Sequence, residues 1–170
     1  VVAVWMDDKA GIPGIFNVWA GALDITASTI CQDFSGIAFP PSDMELEFTG
    51  TQYWTRDTQS AYASGTGSAK FDFKNANAGI TQSLVTTVFT AVGAGNYLTF
   101  DRAYSPGLSG TDSLIIESST DGGNTYSNLS RMFGNSNGNG TLNTTDYVNN
   151  FSPTSGGQWA SNIFVLLNIF

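Results

Sequence analysis

The chain of 170 residues contains no histidine, one cysteine and six basic residues, Lys9, Arg56, Lys70, Lys74, Arg102 and Arg131. Without histidine there is no Ser-His-Asp or Cys-His catalysis, no His-bearing zinc site and no imidazole base near neutral pH. An enzyme of this composition would have to work with carboxylates. The single Cys31 excludes an internal disulfide and reads as a small buried hydrophobe. With a formal net charge of -8, the few cations form no stripe that would neutralise phosphates, which argues against nucleic acid or an anionic membrane as a partner. Uninterrupted apolar runs, Ile163 to Leu167 among them, fall far below the ~20 residues that cross a bilayer as a helix. The chain also opens with neither a basic n-region nor a cleavage site, and reads as a mature or excised soluble segment.

Charge is scarce as a whole, at 12% of residues against a usual ~25%, whereas Gly, Ser, Thr and Asn are abundant. Such a composition suits short strands joined by uncharged turns, the surface of an extracellular β-protein. Candidate strands recur at Val1–Met6, Glu45–Phe48, Gln52–Thr55, Ala69–Phe73, Ser83–Thr90, Tyr97–Tyr104, Ser113–Ser119, Thr125–Phe133 and Asn162–Phe170. Their spacing without helical periodicity predicts an all-β fold, a jelly-roll β-sandwich of two antiparallel sheets. In Tyr97–Tyr104, Leu98, Phe100, Arg102 and Tyr104 share the face expected to meet the core. In Ile163–Phe170 both faces are apolar apart from Asn168, which predicts a central or covered strand, because an open edge of this kind invites pairing with another chain. The run GNSNGNGTLNTT from Gly134 to Thr145 is expected to be a mobile loop, too polar to pack. A soft boundary near Cys31 divides an N-terminal segment, 1–30, from the sandwich domain, 31–170. The first segment reads as a donated strand or the end of a preceding module.

The hairpin between the strands at 113–119 and 125–133 carries a specific turn. Ser119-x-Asp121-x-Gly123-x-Thr125-Tyr126 looks like the Asp-box, in which a carboxylate accepts backbone and hydroxyl hydrogen bonds and an aromatic packs beneath. Where it is found, in sialidases among others, the Asp-box is structural and lies away from the active site, and Asp and Gly suit such a turn on their own account.

Other acidic residues offer chemistry of different kinds. Asp43, Glu45 and Glu47 would share one strand face, successive carboxylates about 7 Å apart. The pattern partly resembles the catalytic strand of laminarinase-like jelly-roll glycoside hydrolases, with the order of outer and central residues exchanged, and equally describes a solvated polar face. Calcium is the better use for carboxylates in such a fold, with Asp33 and Asp101 as candidate ligands and ordinary turn-bonding aspartates as the alternative. Of the aromatics Tyr53, Trp54, Tyr62, Tyr104, Tyr126 and Trp159, the tryptophans Trp54 and Trp159 are the first candidates for a sugar-stacking platform should they be exposed, core packing being the alternative. The sequons at Asn128, Asn139, Asn143 and Asn150 locate surface loops.

Several motifs follow one another in order: Asp33-Phe34, Phe39-Pro40-Pro41, Tyr53-Trp54-Thr55-Arg56-Asp57, Gly67-Ser68-Ala69-Lys70-Phe71, Leu98-Thr99-Phe100-Asp101-Arg102-Ala103-Tyr104, Ser118 to Gly123, Phe151-Ser152-Pro153 and Gln158-Trp159. Their succession resembles the cleaved-adhesin or "choice-of-anchor J" jelly-roll domains of Bacteroidota surface proteins, which are MAM-like in architecture and found beside gingipain-type proteases. The resemblance covers about Asp33 to Phe170. It implies a non-catalytic module exported by type IX secretion to the cell surface, and often a structural Ca²⁺ bound near an opening Asp-Phe-Glu and a Phe-Asp strand. Ser35 stands where that glutamate is common, so Asp33 and Asp101 are the ligand positions that carry over.

Two functions are therefore expected, in order. The first is a non-catalytic extracellular adhesion or binding module for a glycan or protein ligand at the cell surface. The second is a structural subunit of a surface filament, self-associating by strand exchange. A jelly-roll glycoside hydrolase built on Asp43, Glu45 and Glu47 is a distant third.

Overall fold

The computed structural model describes residues 2–8, 17–20, 23–25, 31–61, 67–88, 96–108 and 111–166. They form strands β1 (Val2–Asp8), β2 (Asn17–Ala20), β3 (Leu23–Ile25), β4 (Cys31–Gln32), β5 (Met44–Glu47), β6 (Thr55–Asp57), β7 (Ser68–Asp72), β8 (Thr81–Thr86), β9 (Asn96–Tyr104), β10 (Asp112–Ser118), β11 (Ser127–Phe133) and β12 (Ala160–Leu166). Among the described residues the only helical pieces are 3₁₀ turns at Phe73–Asn75 and Gly156–Gln158. One sheet runs β11-β10-β1-β8-β5; the other runs β4-β3-β9-β2-β7-β6, with β12 along β9. Every pairing is antiparallel.

The N-terminal segment lies inside this fold. β1 is the middle strand of the first sheet, with Val4 opposite Leu84 on one side and Ile116 on the other. β2 and β3 follow one another along β9, pairing with its two halves. The boundary expected near Cys31 thus falls within one architecture, since β1 to β3 complete both sheets. An apolar run such as Val2–Met6 suits a strand flanked on both sides. Cys31 itself is exposed, contrary to its expected burial, because it stands on the two-residue β4 at the end of its sheet.

The inner faces of the two sheets meet in one apolar cluster. The second sheet contributes Phe71, Leu98, Phe100 and Tyr104, and the first contributes Met44, Leu84, Leu114, Ile116 and Met132. Aromatic rings chain through it: Trp54 to Phe71 at 6.0 Å, Phe71 to Phe73 at 4.7 Å and edge-on, Phe73 to Tyr104 at 6.5 Å and perpendicular. Contacts of this geometry add about 0.5–1.5 kcal/mol each beyond the area they bury. β9 shows the alternation its sequence predicts, with Leu98, Phe100, Arg102 and Tyr104 all buried. Arg102 is the unusual member. Its guanidinium donates to the Thr141 carbonyl (2.7 Å) and to Asn162 Oδ1 (3.2 Å), and burial pulls its pKa below the ordinary value.

One expectation is reversed here. The segment 134–145 is packed: Leu142 is fully buried, its N–H donates to the Phe133 carbonyl at 2.9 Å, and Thr144 exchanges bonds with both backbone groups of Tyr104. Asn135 and Asn143 pair in both directions, at 3.1 and 2.8 Å. The asparagines and threonines that marked a loop as unpackable instead satisfy its backbone. Among the described residues β12 pairs with β9, and Phe164 stacks inward on Phe100 at 5.7 Å; positions 167–170 of the strand expected at Ile163–Phe170 lie outside the described residues.

Candidate functional site

The Asp-box sequence forms a closed hydrogen-bond knot between β10 and β11. Asp121 Oδ1 accepts from the Thr125 N–H (2.9 Å) and the Ser119 hydroxyl (2.7 Å), and Oδ2 accepts from the Thr125 hydroxyl (2.6 Å). Ser119 Oγ in turn accepts from the Gly123 N–H at 2.8 Å. Gly122 and Gly123 take φ of 75° and 94°, the left-handed region that glycine enters at little expense. A Cβ on Gly123 would stand 3.2 Å from the Tyr126 hydroxyl, so the ring of Tyr126 closes over the turn. Thr125, through side chain and then backbone, and Ser119 hold the Asp121 carboxyl down to a pKa of about 2. The Ser119, Asp121 and Thr125 side chains bond one another and the backbone of the turn, which is the work of a structural lock.

Asp33 and Asp101, the calcium candidates, are held by separate partners. Asp33 Oδ1 accepts from the Ser35 N–H at 2.9 Å, and that bond lowers its pKa. Asp101 Oδ1 accepts from the hydroxyl of Ser161, its cross-strand partner on β12. Asp33 follows β4, which pairs with β3, which pairs with β9, so two strand spacings, ~10 Å, separate the two positions. Among the described residues no group of three or more acidic, Cys or His side chains converges, whereas calcium takes about six to eight oxygens.

The tryptophans proposed as a sugar platform are core residues. Trp54 is 1% exposed and donates its indole N–H to the Gln82 carbonyl at 3.2 Å; Trp159 is buried with Ala61, Ala103 and Phe151 on the outer side of β9. Trp54 offers no open ring face, and Trp159 reaches only the wall of a small cleft beside Thr58, Gln59 and Pro153. Tyr104 is buried as well, and Tyr62 lies outside the described residues. Of the aromatics named for a platform, Tyr53 is the most exposed among the described residues, and Tyr126 is part-buried.

Tyr53 and Phe48 flank the loop between β5 and β6, exposed by 42% and 47%, their ring centroids 4.7 Å apart. The loop is anchored from below. The fully buried Gln82 side chain accepts from the Thr49 N–H (3.1 Å) and donates to the Thr49 carbonyl (2.9 Å), while the Trp54 indole bonds the Gln82 backbone. Gly50 makes the bend at φ 78°. In extended chain, neighbours point to opposite sides, so burying Trp54 sends Tyr53 outward. Beside the ring of Tyr53 opens a cleft of about 290 Å³ whose wall includes Gln52, Thr55, Lys70, Asp72 and Asn75. Asn75 donates to Asp72 at 2.7 Å, and Lys70 pairs with Asp57 at 3.3 Å on the adjoining strand. Exposed ring surface, the two rings tilted by 41°, next to amide, hydroxyl, carboxylate and ammonium groups suits a ligand with an apolar face and polar edges. The sequence held the signal in the adjacency of Tyr53 and Trp54, where one ring of the pair had to face out.

Asp43, Glu45 and Glu47 do not build a comparable site. Asp43 Oδ1 accepts from the Gln32 amide at 3.0 Å, and Glu45 and Glu47 project into solvent from β5, on the side away from the part-buried Leu46. No protein-family model, curated protein or solved structure matches this chain.

Proposed function

We propose that this chain is a non-catalytic extracellular binding module that takes a saccharide at the Phe48–Tyr53 face and its adjoining cleft. The carrying observation is the paired, half-exposed rings over an anchored loop, next to a cleft walled by amide, hydroxyl and charged groups. Stacking of a sugar face on Tyr53 supplies apolar contact, and Asp72, Asn75 and Gln52 supply hydroxyl partners. The charge-poor, Gly/Ser/Thr/Asn-rich composition and the motif succession resembling cleaved-adhesin domains support a cell-surface setting. Binding sites on a rigid β-scaffold are commonly carried by such loops. A glycan array with the wild-type chain tests this directly: hits that vanish in Tyr53→Ala support the reading, and hits that persist unchanged, or their complete absence, overturn it.

A further inference from the structure

We propose that Asn139 is a site of spontaneous covalent modification: the backbone nitrogen of Gly140 closes on the Asn139 side-chain amide, ammonia leaves, and water opens the ring to an aspartate or an isoaspartate. Every asparagine carries the electrophile for this reaction, a side-chain carbonyl carbon placed to form a five-membered ring with the next residue's nitrogen. Access to that nitrogen decides which one reacts. A glycine there has no Cβ to obstruct the approach and lets the backbone turn. The chain has two such pairs, Asn137-Gly138 and Asn139-Gly140, close together after β11. The structure tells them apart. Gly138 donates its N–H to the Asn135 carbonyl at 3.2 Å, and the Asn137 N–H is tied to Asn135 Oδ1 at 2.8 Å. Among the described residues the Gly140 N–H has no acceptor, and Asn139 is exposed. Asp121-Gly122 has the spacing for the same ring, but its carboxylate is ionised, a poor electrophile, and bonded by Ser119 and Thr125.

The Gly140 nitrogen gives its proton to hydroxide or water and bonds to Asn139 Cγ, while the side-chain nitrogen takes up a proton and departs as ammonia. Water then breaks one of the two carbonyl bonds of the ring nitrogen. Breaking the bond to Cγ leaves an aspartate at position 139; breaking the main-chain bond routes the backbone through Cγ, one methylene longer. Either product is a carboxylate ionised at neutral pH, added to a chain whose net charge is already -8. The fold tolerates them unequally. An aspartate keeps the backbone and its side chain stays in solvent. The longer backbone of the isoaspartate pushes on Gly140, which is hemmed in: a Cβ there would lie 2.5 Å from the Asn135 nitrogen and from Asn143 Oδ1, and 2.7 Å from the Phe133 carbonyl oxygen. The Gly140 carbonyl also accepts from the Asn143 N–H at 3.1 Å. Moving Gly140 therefore strains the reciprocal Asn135 and Asn143 bonds and the buried Leu142 two residues on.

Incubation of the folded 170-residue chain at mildly alkaline pH, followed by peptide mapping in a mass spectrometer, is the test. Asn139 should convert to acid about fivefold or more faster than Asn137, the factor that one hydrogen bond on the Gly138 nitrogen is worth. In urea, where that bond is gone, the two should convert at similar rates. Asn139→Gln, which would need a six-membered ring, should stop the conversion at that position and leave the melting temperature unchanged. The isoaspartate form, isolated by ion exchange, should melt below the fresh chain, whereas Asn139→Asp should melt with it. An Asn139 that stays an amide in the folded chain while the unfolded chain converts overturns the proposal, and so does Asn137 converting first; neither outcome depends on a variant that has to fold. An isoaspartate form that melts with fresh wild type overturns the clash at Gly140. Tyr53→Ala should convert at the wild-type rate and Asn139→Gln should keep its saccharide affinity, so this proposal and the binding proposal stand or fall separately.

Discussion

The Tyr104 hydroxyl donates to the Asp112 carboxylate across 2.8 Å, with both residues almost wholly buried. Tyr104 ends β9 in one sheet and Asp112 begins β10 in the other, so this bond fastens the sandwich at the point where the chain crosses between its layers. The Asp112 carbonyl also accepts from the Gly134 N–H at 2.9 Å, and a Cβ on Gly134 would lie 2.1 Å from the Tyr104 oxygen. Tyr104→Phe should therefore destabilise the fold by about 1–3 kcal/mol, the usual effect of stripping a buried group of its partner. Gly134→Ala should weaken it too, by displacing the phenol. Urea denaturation of both variants checks this, and a wild-type midpoint for Gly134→Ala would show that the bond is dispensable.

Acid should loosen the Asp-box turn late. The Asp121 carboxyl has a folded pKa of about 2 against an ordinary 3.8. A depressed carboxylate stabilises above its unfolded pKa and loses that contribution as pH falls through the folded one. The turn should hold at pH 5 and give way between about pH 4 and pH 2, which the Asp121 carboxyl carbon and Thr125 amide shifts in NMR report directly. Asp121→Asn should erase this acid-dependent step, and an Asp121 midpoint near the ordinary carboxylate value would contradict the geometry.

Adjacent residues in the β5–β6 loop should separate binding from stability. Tyr53→Ala should abolish saccharide binding and leave the melting temperature near wild type. Trp54→Ala, emptying a wholly buried site, should cost about 3–5 kcal/mol. Differential scanning calorimetry alongside binding titrations gives both readouts.

Leu142→Ala should destabilise by about 2–5 kcal/mol, a large effect for one residue in a segment as polar as 134–145. Thermal unfolding measures it, and a change near zero would mean that Leu142 is not seated in the core cluster.

Calcium held at Asp33 and Asp101 should show as a melting temperature that falls on adding EDTA, because a ligand that binds only the native state raises stability. No shift would count against the site.

Much of the strand pattern was legible in the sequence because alternation is a local property: Leu98 to Tyr104 announced its buried face, and Ser119 to Tyr126 its turn. Choice of partner is not local. Val2 to Met6 carries no mark that says whether β8 and β10 of its own chain or a neighbour's edge will flank it. The candidate site was missed by one position, since Tyr53 and Trp54 are both aromatic and only the placement of Gln82 beneath the loop decides which turns inward. Composition misled for 134–145, where each polar side chain that suggested disorder is a partner for another.

Gln82 lies wholly buried beneath the β5–β6 loop. Its side-chain amide, donating to and accepting from Thr49, reproduces the reciprocal pair of a β-ladder rung with a backbone on one side only. The loop bearing Phe48 and Tyr53 is thus tied to β8 as though it were one more strand. Little of its freedom is left to lose when a ligand arrives, and a weak, small binding surface gains most from arriving already shaped.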